Sequence, residues 1–233
     1  GLIAPRPVLE KHVAARVETF VSLHGREILA TGEGVDRRQG IEVLALRRHV
    51  LVALDITEEG VQEAAAEGME LIVAHHPVMN CKWLPVQTVR TDTPQGRILM
   101  ELIRSGISAI CMHTNLDIAE GGVNDCLAQA VGLNVVEPLG EDGCGRVGAL
   151  PEEMAMDAFL PHVARALHCS GMRYVSAGNP VRRVAVGGGA CWDYHADALR
   201  KKCDTFLTSD LSYHDFLDAR AMGINVIDAG HFP

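Results

Sequence analysis

Two adjacent histidines, His75 and His76, stand between the apolar run Leu71-Ile72-Val73-Ala74 and Pro77. Proline holds the residue before it in extended backbone, so His76 stays extended and the strand ends there. Neighbouring side chains on a strand point to opposite faces, which makes it hard for both imidazoles to chelate one ion. They can each serve a different ion when two lie a few ångströms apart, as in two-metal hydrolytic centres. A hydrogen-bonded histidine pair at a strand end is the competing reading, and the residues alone leave both open.

Three further segments carry candidate groups. His113-Thr114-Asn115-Leu116-Asp117 follows another apolar run; Asp117 can coordinate and His113 can orient it, although Asn115 and Asp117 are also common turn residues. Asp228-Ala229-Gly230-His231 ends the last apolar run, where Gly230 permits close backbone approach or marks a surface turn. Thr208-Ser209-Asp210-Leu211-Ser212-Tyr213-His214-Asp215 is a run of protic side chains without metal-ligand spacing, assigned to substrate contact or to support of the ligands. Gly187-Gly188-Gly189 follows a strand but fits neither G-x-G-x-x-G nor a Walker loop, so it reads as a close-packed turn. The seven cysteines are odd in number and include no C-x-x-C pair, which argues against a zinc ribbon or a disulfide framework and for a reducing, cytosol-like compartment.

The elements that must position these groups fall into two similar series. Val50–Asp55 reads as a strand, Thr57–Glu67 as a helix, Glu70–Ala74 as a strand, Thr93–Ser105 as a helix ended by Gly106, and Ile107–Cys111 as a strand. In the second half Arg183–Val186, Thr205–Leu207 and Ile224–Asp228 read as strands, with helices over His195–Lys202 and Phe216–Met222 between them. Each series is β-α-β-α-β, which points to an internal duplication. Such alternation predicts an α/β fold of largely parallel sheets, with ligand crevices at the carboxyl ends of the strands. The expected division is a first α/β domain over 1–136 and a second over 137–233, the latter contributing His231 to a shared site. Residues 8–48 fit neither series: Leu9, Val13, Val17, Phe20 and Val21 make a helix-like face, and a Gly- and charge-rich loop follows. Residues 134–180 connect the halves, with a strand expected near Arg146–Ala149 and a helix over Met154–Leu167.

Composition bounds the partners. With 233 residues, 48% of them apolar, the chain can bury one sizeable core or two small ones. Its 21 basic against 30 acidic residues give a net charge of −9, which argues against nucleic acid. Residues 1–50 carry eight basic and six acidic side chains, so the acid lies in the remainder and the 8–48 stretch is the natural surface for a protein partner. The apolar runs stop far short of the roughly 20 residues needed to span a bilayer, so no membrane association is expected. A cytoplasmic location is expected; because residue 1 is Gly, a targeting segment can precede it and a mitochondrial location stays open.

Taken in order, four motifs resemble the NIF-three-like family, also named the GTP cyclohydrolase 1 type 2 family. They are Leu54-Asp55-Ile56-Thr57 with Leu71 through Pro77; His113 through Asp117 with Gly121-Gly122-Val123-Asn124-Asp125; Thr208-Ser209-Asp210 with Tyr213-His214; and Asp228 through His231. The match runs from about residue 50 to the end, and Leu2-Ile3-Ala4, with Gly1 as the glycine, resembles the tail of the family's opening Trp-Asp-Asn-x-Gly-Leu motif. The resemblance implies two related α/β domains per subunit, a toroidal homohexamer and a dinuclear metal site in each subunit. It places His75, His76, Asp117 and His231 on the metal ligands, with Asp55, His113, Asp210 and His214 in support. A bridging glutamate is implied four residues beyond His231, past Pro233, so the chain is expected to continue. Imidazoles and carboxylates without thiolates suit two divalent ions of Zn, Mn, Fe, Co or Ni. The function so implied is a metal-dependent hydrolase acting on a small anionic substrate, nucleotide- or phosphate-like. The alternative is a non-catalytic metal-binding scaffold or a transcription-linked interaction factor.

Overall fold

Residues 13–16, 49–78 and 89–232 are described by the computed structural model, in two compact units that meet in the sequence at Asn115 and Leu116. In the first unit, strands β1 (Val13–Arg16), β2 (His49–Ala53), β3 (Leu71–Ala74) and β4 (Ser108–Cys111) form one sheet in that order. β2, β3 and β4 run parallel. Parallel neighbours need crossovers, and two helices supply them. Helix α1 (Glu58–Ala66) starts where Thr57 Oγ1 accepts the Gly60 N–H at 3.0 Å. Helix α2 (Pro94–Ser105) is capped in the same way by Thr93, begins with proline, and ends at Gly106 with φ 65°. Leu51, Ile72 and Ala74 of the strands bury against Val61, Ala64, Ile98 and Leu102 of the helices.

One expectation is corrected here. Val13 to Arg16 lie in a strand, antiparallel to β2, and not on a helix. The four-residue segment Val13-Ala14-Ala15-Arg16 is too short to carry a period that separates the two states, and ladder pairing with a buried strand overrides it. The rest of the 8–48 stretch, including its expected loop, lies outside the described residues.

The short helix α3 (Thr114–Ile118) follows β4. The second unit then holds α4 (Val123–Ala130), β5 (Asn134–Pro138), β6 (Arg146–Met154), α5 (Met156–Ala166), β7 (Arg173–Val175), β8 (Val181–Val186), α6 (His195–Arg200), β9 (Thr205–Thr208), α7 (Tyr213–Met222) and β10 (Asn225–Asp228). Its six-stranded sheet is ordered β5-β6-β8-β9-β10-β7. Only β8, β9 and β10 are parallel; β5, β6 and β7 join antiparallel, so this sheet is mixed where a largely parallel one is expected from sequence. The reason is the short connection between β5 and β6, which allows a hairpin but no crossover. Since β5 pairs with β6, and α4 packs on β6, both go with the second unit. The compact division therefore falls ahead of 136/137.

Alternation along β8 sends Val184 and Val186 to one face and Ala185 to the other. On the first face they meet Ala128 of α4 with Phe159 and Val163 of α5; on the second lie Ala198 of α6 and Ala219 of α7. The central strands are thus covered on both sides, as parallel strands require. Among the described residues no helix is long and apolar enough to cross a membrane.

Candidate metal centre

The register of the first sheet decides which groups meet. Ala53 stands opposite Ala74, and Ala74 opposite Cys111, so β2, β3 and β4 end at one level. The residues just beyond are Asp55, His75 with His76, and His113. After β3 the chain turns sharply, because the N–H groups of His75 and His76 both donate to Leu54 O, at 3.1 and 3.0 Å. That shared acceptor rotates the two imidazoles out of simple strand alternation. Their ring centroids lie 4.9 Å apart, and His113 stands 4.8 Å from His75 and 5.5 Å from His76.

One nitrogen from each of the three rings falls in a group whose members all lie within 4.8 Å of one another. His75 and His76 are half-buried and His113 is exposed, so the group is reachable from solvent. Asp55 Oδ1 contacts His76 Nδ1 at 2.8 Å, and Thr114 Oγ1 contacts His113 Nδ1 at 3.1 Å. With Nδ1 donating to Asp55, His76 keeps its Nε2 lone pair for a cation, the carboxylate-histidine arrangement that orients metal ligands. Three imidazoles without a thiol fit the borderline divalent ions expected from the sequence. His113, expected as a supporting group, stands inside the cluster.

The second unit carries the remaining candidates. His231 follows β10 and contacts Asp210 through Nδ1. Asp210 sits in left-handed backbone, φ 56°, at the turn after β9. That turn is fixed from below by Asp228: its buried carboxylate accepts the Leu211 N–H at 3.2 Å, the Gly230 N–H at 3.1 Å and the Arg173 guanidinium. Asp228 therefore aims both partners of the Asp210–His231 contact. The glycine triplet after β8 is the close-packed turn expected from its sequence. A Cβ on Gly187 would lie 2.5 Å from that of Cys191, and one on Gly188 2.9 Å from Val123 Cγ1. Gly189, φ 67°, leaves room for the His231 ring, whose Cε1 would stand 3.3 Å from a Cβ there.

Asp117 lies on α3, and its carbonyl oxygen accepts from Asn124 Nδ2 at 3.0 Å. The loop after it is gripped by Arg146, which is buried and donates to Asp125, to Gly143 O and Gly145 O at 2.8 and 2.9 Å, and to Ile118 O and Ala119 O at 3.4 Å. Burial opposes ionisation of Asp125, but the Arg146 hydrogen bond, the Gly121 N–H and the Arg146 charge together hold its carboxyl below the usual range. His214 sits in the first turn of α7, exposed and edge-to-face with Tyr213. Ser212 and Asp215 of the same protic run form a capping box for α7, which absorbs part of the polarity assigned to substrate.

Several positioning residues were not visible as such in the sequence. Asn124 stands above only as part of a motif, and Arg173, 55 residues from Asp228, has no local signal at all. Cys144 and Cys191 form a buried thiol pair. Their proximity lowers the Cys144 thiol and, together with burial, raises that of Cys191, whose Sγ donates to Gly188 O at 3.1 Å.

The pattern of the family described as Duf34/NIF3 (NGG1p interacting factor 3) matches residues 40–233. A protein of Clostridium perfringens named GTP cyclohydrolase 1 type 2 homolog is 36% identical over 190 residues, covering 78% of this chain and 71% of that one. A Streptomyces coelicolor protein of the same name is 36% identical over 195 residues, covering 78% and 67%. Among solved structures, a Bacillus cereus protein related to NIF3 superposes with a TM-score of 0.72 at 27% identity, over 79% of each chain.

Proposed function

The chain belongs to the Duf34/NIF3 family, and on that premise we propose that it is a dinuclear metal-dependent hydrolase acting on a small anionic, nucleotide- or phosphate-like substrate. The observation that carries the reading is the cluster of His75, His76 and His113 at the common carboxyl end of three parallel strands, with Asp55 on His76. Asp117 and His231 are further ligands in this proposal. The relatives' name, with its reference to a nucleotide, supports the substrate class.

Divalent ions bound there would offset substrate negative charge and lower the pKa of water toward neutrality. The chain's own groups do the rest. Asp55 accepts the His76 Nδ1 proton and fixes the ring; Asp210 does the same for His231. His113, at the exposed rim, is a ligand beside His75 and His76 in this proposal, with Thr114 Oγ1 on its Nδ1. The proposal includes assembly as a homohexamer, a protein-partner surface at residues 8–48, and a cytoplasmic setting, which suits the free cysteines.

The experiment is a screen of metal-reconstituted protein against nucleotides and phosphoesters, run beside His75→Ala. Hydrolysis by the wild type that is lost in His75→Ala supports the enzyme. Turnover that survives the substitution contradicts it, and stoichiometric metal with no turnover across the panel favours the scaffold reading.

A further inference from the structure

The buried side chain of Asn124 joins two segments that the preceding reading treats separately. It sits in the second position of α4, fully buried. Its Nδ2 donates to the carbonyl of Asp117 at 3.0 Å, and its Oδ1 accepts the N–H of Gly188 at 2.8 Å. Gly188 precedes Gly189, which lies directly under the His231 ring. We infer that Asn124 is a positioning residue that sets Asp117 and His231 in register, by tying the last turn of α3 to the glycine turn after β8.

Both anchor points need such a tie. The Asp117 carbonyl is in the last turn of a five-residue helix, where carbonyls have no partner within the helix. The Gly188 amide is in a turn, and a backbone amide shielded from water has to be paired. One short side chain must therefore present a donor and an acceptor on two separate atoms at its tip, as the Asn124 carboxamide does. Gly122, just before α4, lets the chain close: a Cβ there would lie 2.0 Å from Leu116 O. Gly188 lacks the Cβ that would strike Val123, so its amide can reach Asn124. Asn124 thus ties the last turn of α3 directly to the glycine turn.

This inference rests on the metal reading, and the test separates the two. Zn²⁺ affinity is measured on the full chain by competition with a chromophoric chelator, and the visible spectrum of the Co²⁺ form is recorded, for wild type, Asn124→Ala and Asn124→Asp. The aspartate keeps the volume and the Gly188 bond, so it serves where alanine fails to fold. Val163→Ala, which opens a cavity in the core under α5's own buried face, is the control for destabilisation alone. The inference expects Asn124→Ala and Asn124→Asp to weaken Zn²⁺ binding by about tenfold or more and to change the Co²⁺ spectrum. Val163→Ala should keep both within twofold of wild type. Wild-type binding that both Asn124 variants share within twofold, or an equal loss in Val163→Ala, overturns the positioning role alone. A wild type that takes up no Zn²⁺ overturns the metal reading and this inference with it.

Discussion

Asp55 Oδ1 lies 2.8 Å from His76 Nδ1, across 21 residues of sequence and between the ends of two neighbouring parallel strands. The contact fixes which ring nitrogen faces the cluster, and the Asp55 side chain that makes it is exposed. Asp55→Ala is therefore expected to weaken Zn²⁺ affinity by about 10- to 100-fold while leaving the far-ultraviolet circular dichroism unchanged. Asp55→Asn keeps an acceptor oxygen and should fall between. Chelator competition on the three proteins is the check, and equal affinities would remove Asp55 from the site.

His113 separates the structural reading from the sequence reading. A residue that only orients Asp117 would leave the cluster's donor set intact, whereas the geometry places His113 in it. His113→Ala is expected to lower Zn²⁺ affinity at least tenfold, about 1.4 kcal/mol. The melting temperature of the metal-free protein should hardly change, since the side chain is exposed. Calorimetric titration beside a thermal melt reads both.

Arg146 and Asp125 make a prediction about folding alone. Removing the buried guanidinium leaves Asp125 and several loop carbonyls without their donor. Arg146→Ala should cost about 3 kcal/mol, the low end for a buried pair because the Asp125 side chain keeps 29% of its exposure. The folded carboxyl titrates below its unfolded value, so the contribution is complete above the unfolded pKa and is lost as pH falls through the folded one. Urea unfolding of wild type and variant should therefore differ most near neutrality and converge on acidification. A difference independent of pH would show that the pair is not the source.

Gly189 ties backbone conformation to the histidine above it. Gly189→Ala places an L-residue at φ 67°, costing about 1 to 2 kcal/mol. It also sets a methyl 3.3 Å from His231 Cε1. The expected result is a lower melting temperature together with shifted His231 ring resonances in the nuclear magnetic resonance spectrum. Unmoved His231 signals would mean that the ring does not rest on this glycine.

Much of the site is legible in the sequence because it is local. Thr57, Thr93, Gly106 and Gly223 announce their helix ends, apolar runs mark the strands, and the histidines stand at the ends of those runs. What stayed hidden is what register and long-range packing decide. His113 joins His75 and His76 only because Ala74 pairs with Cys111, and nothing in either segment fixes that pairing. The mixed second sheet is not legible because β5 and β6 join as a hairpin at one edge and β7, three residues long, pairs with β10 from across the unit at the other. Asp228 looks in sequence like one more candidate ligand, yet its oxygens are committed to Leu211, Gly230 and Arg173, which makes it a support for Asp210.

Whether His75, His76 and His113 hold metal is read by elemental analysis of the purified chain beside His76→Ala. Two divalent ions per chain are expected in the wild type, with a clear loss in the variant. Less than one ion per chain, with no change on His76→Ala, would contradict metal binding there.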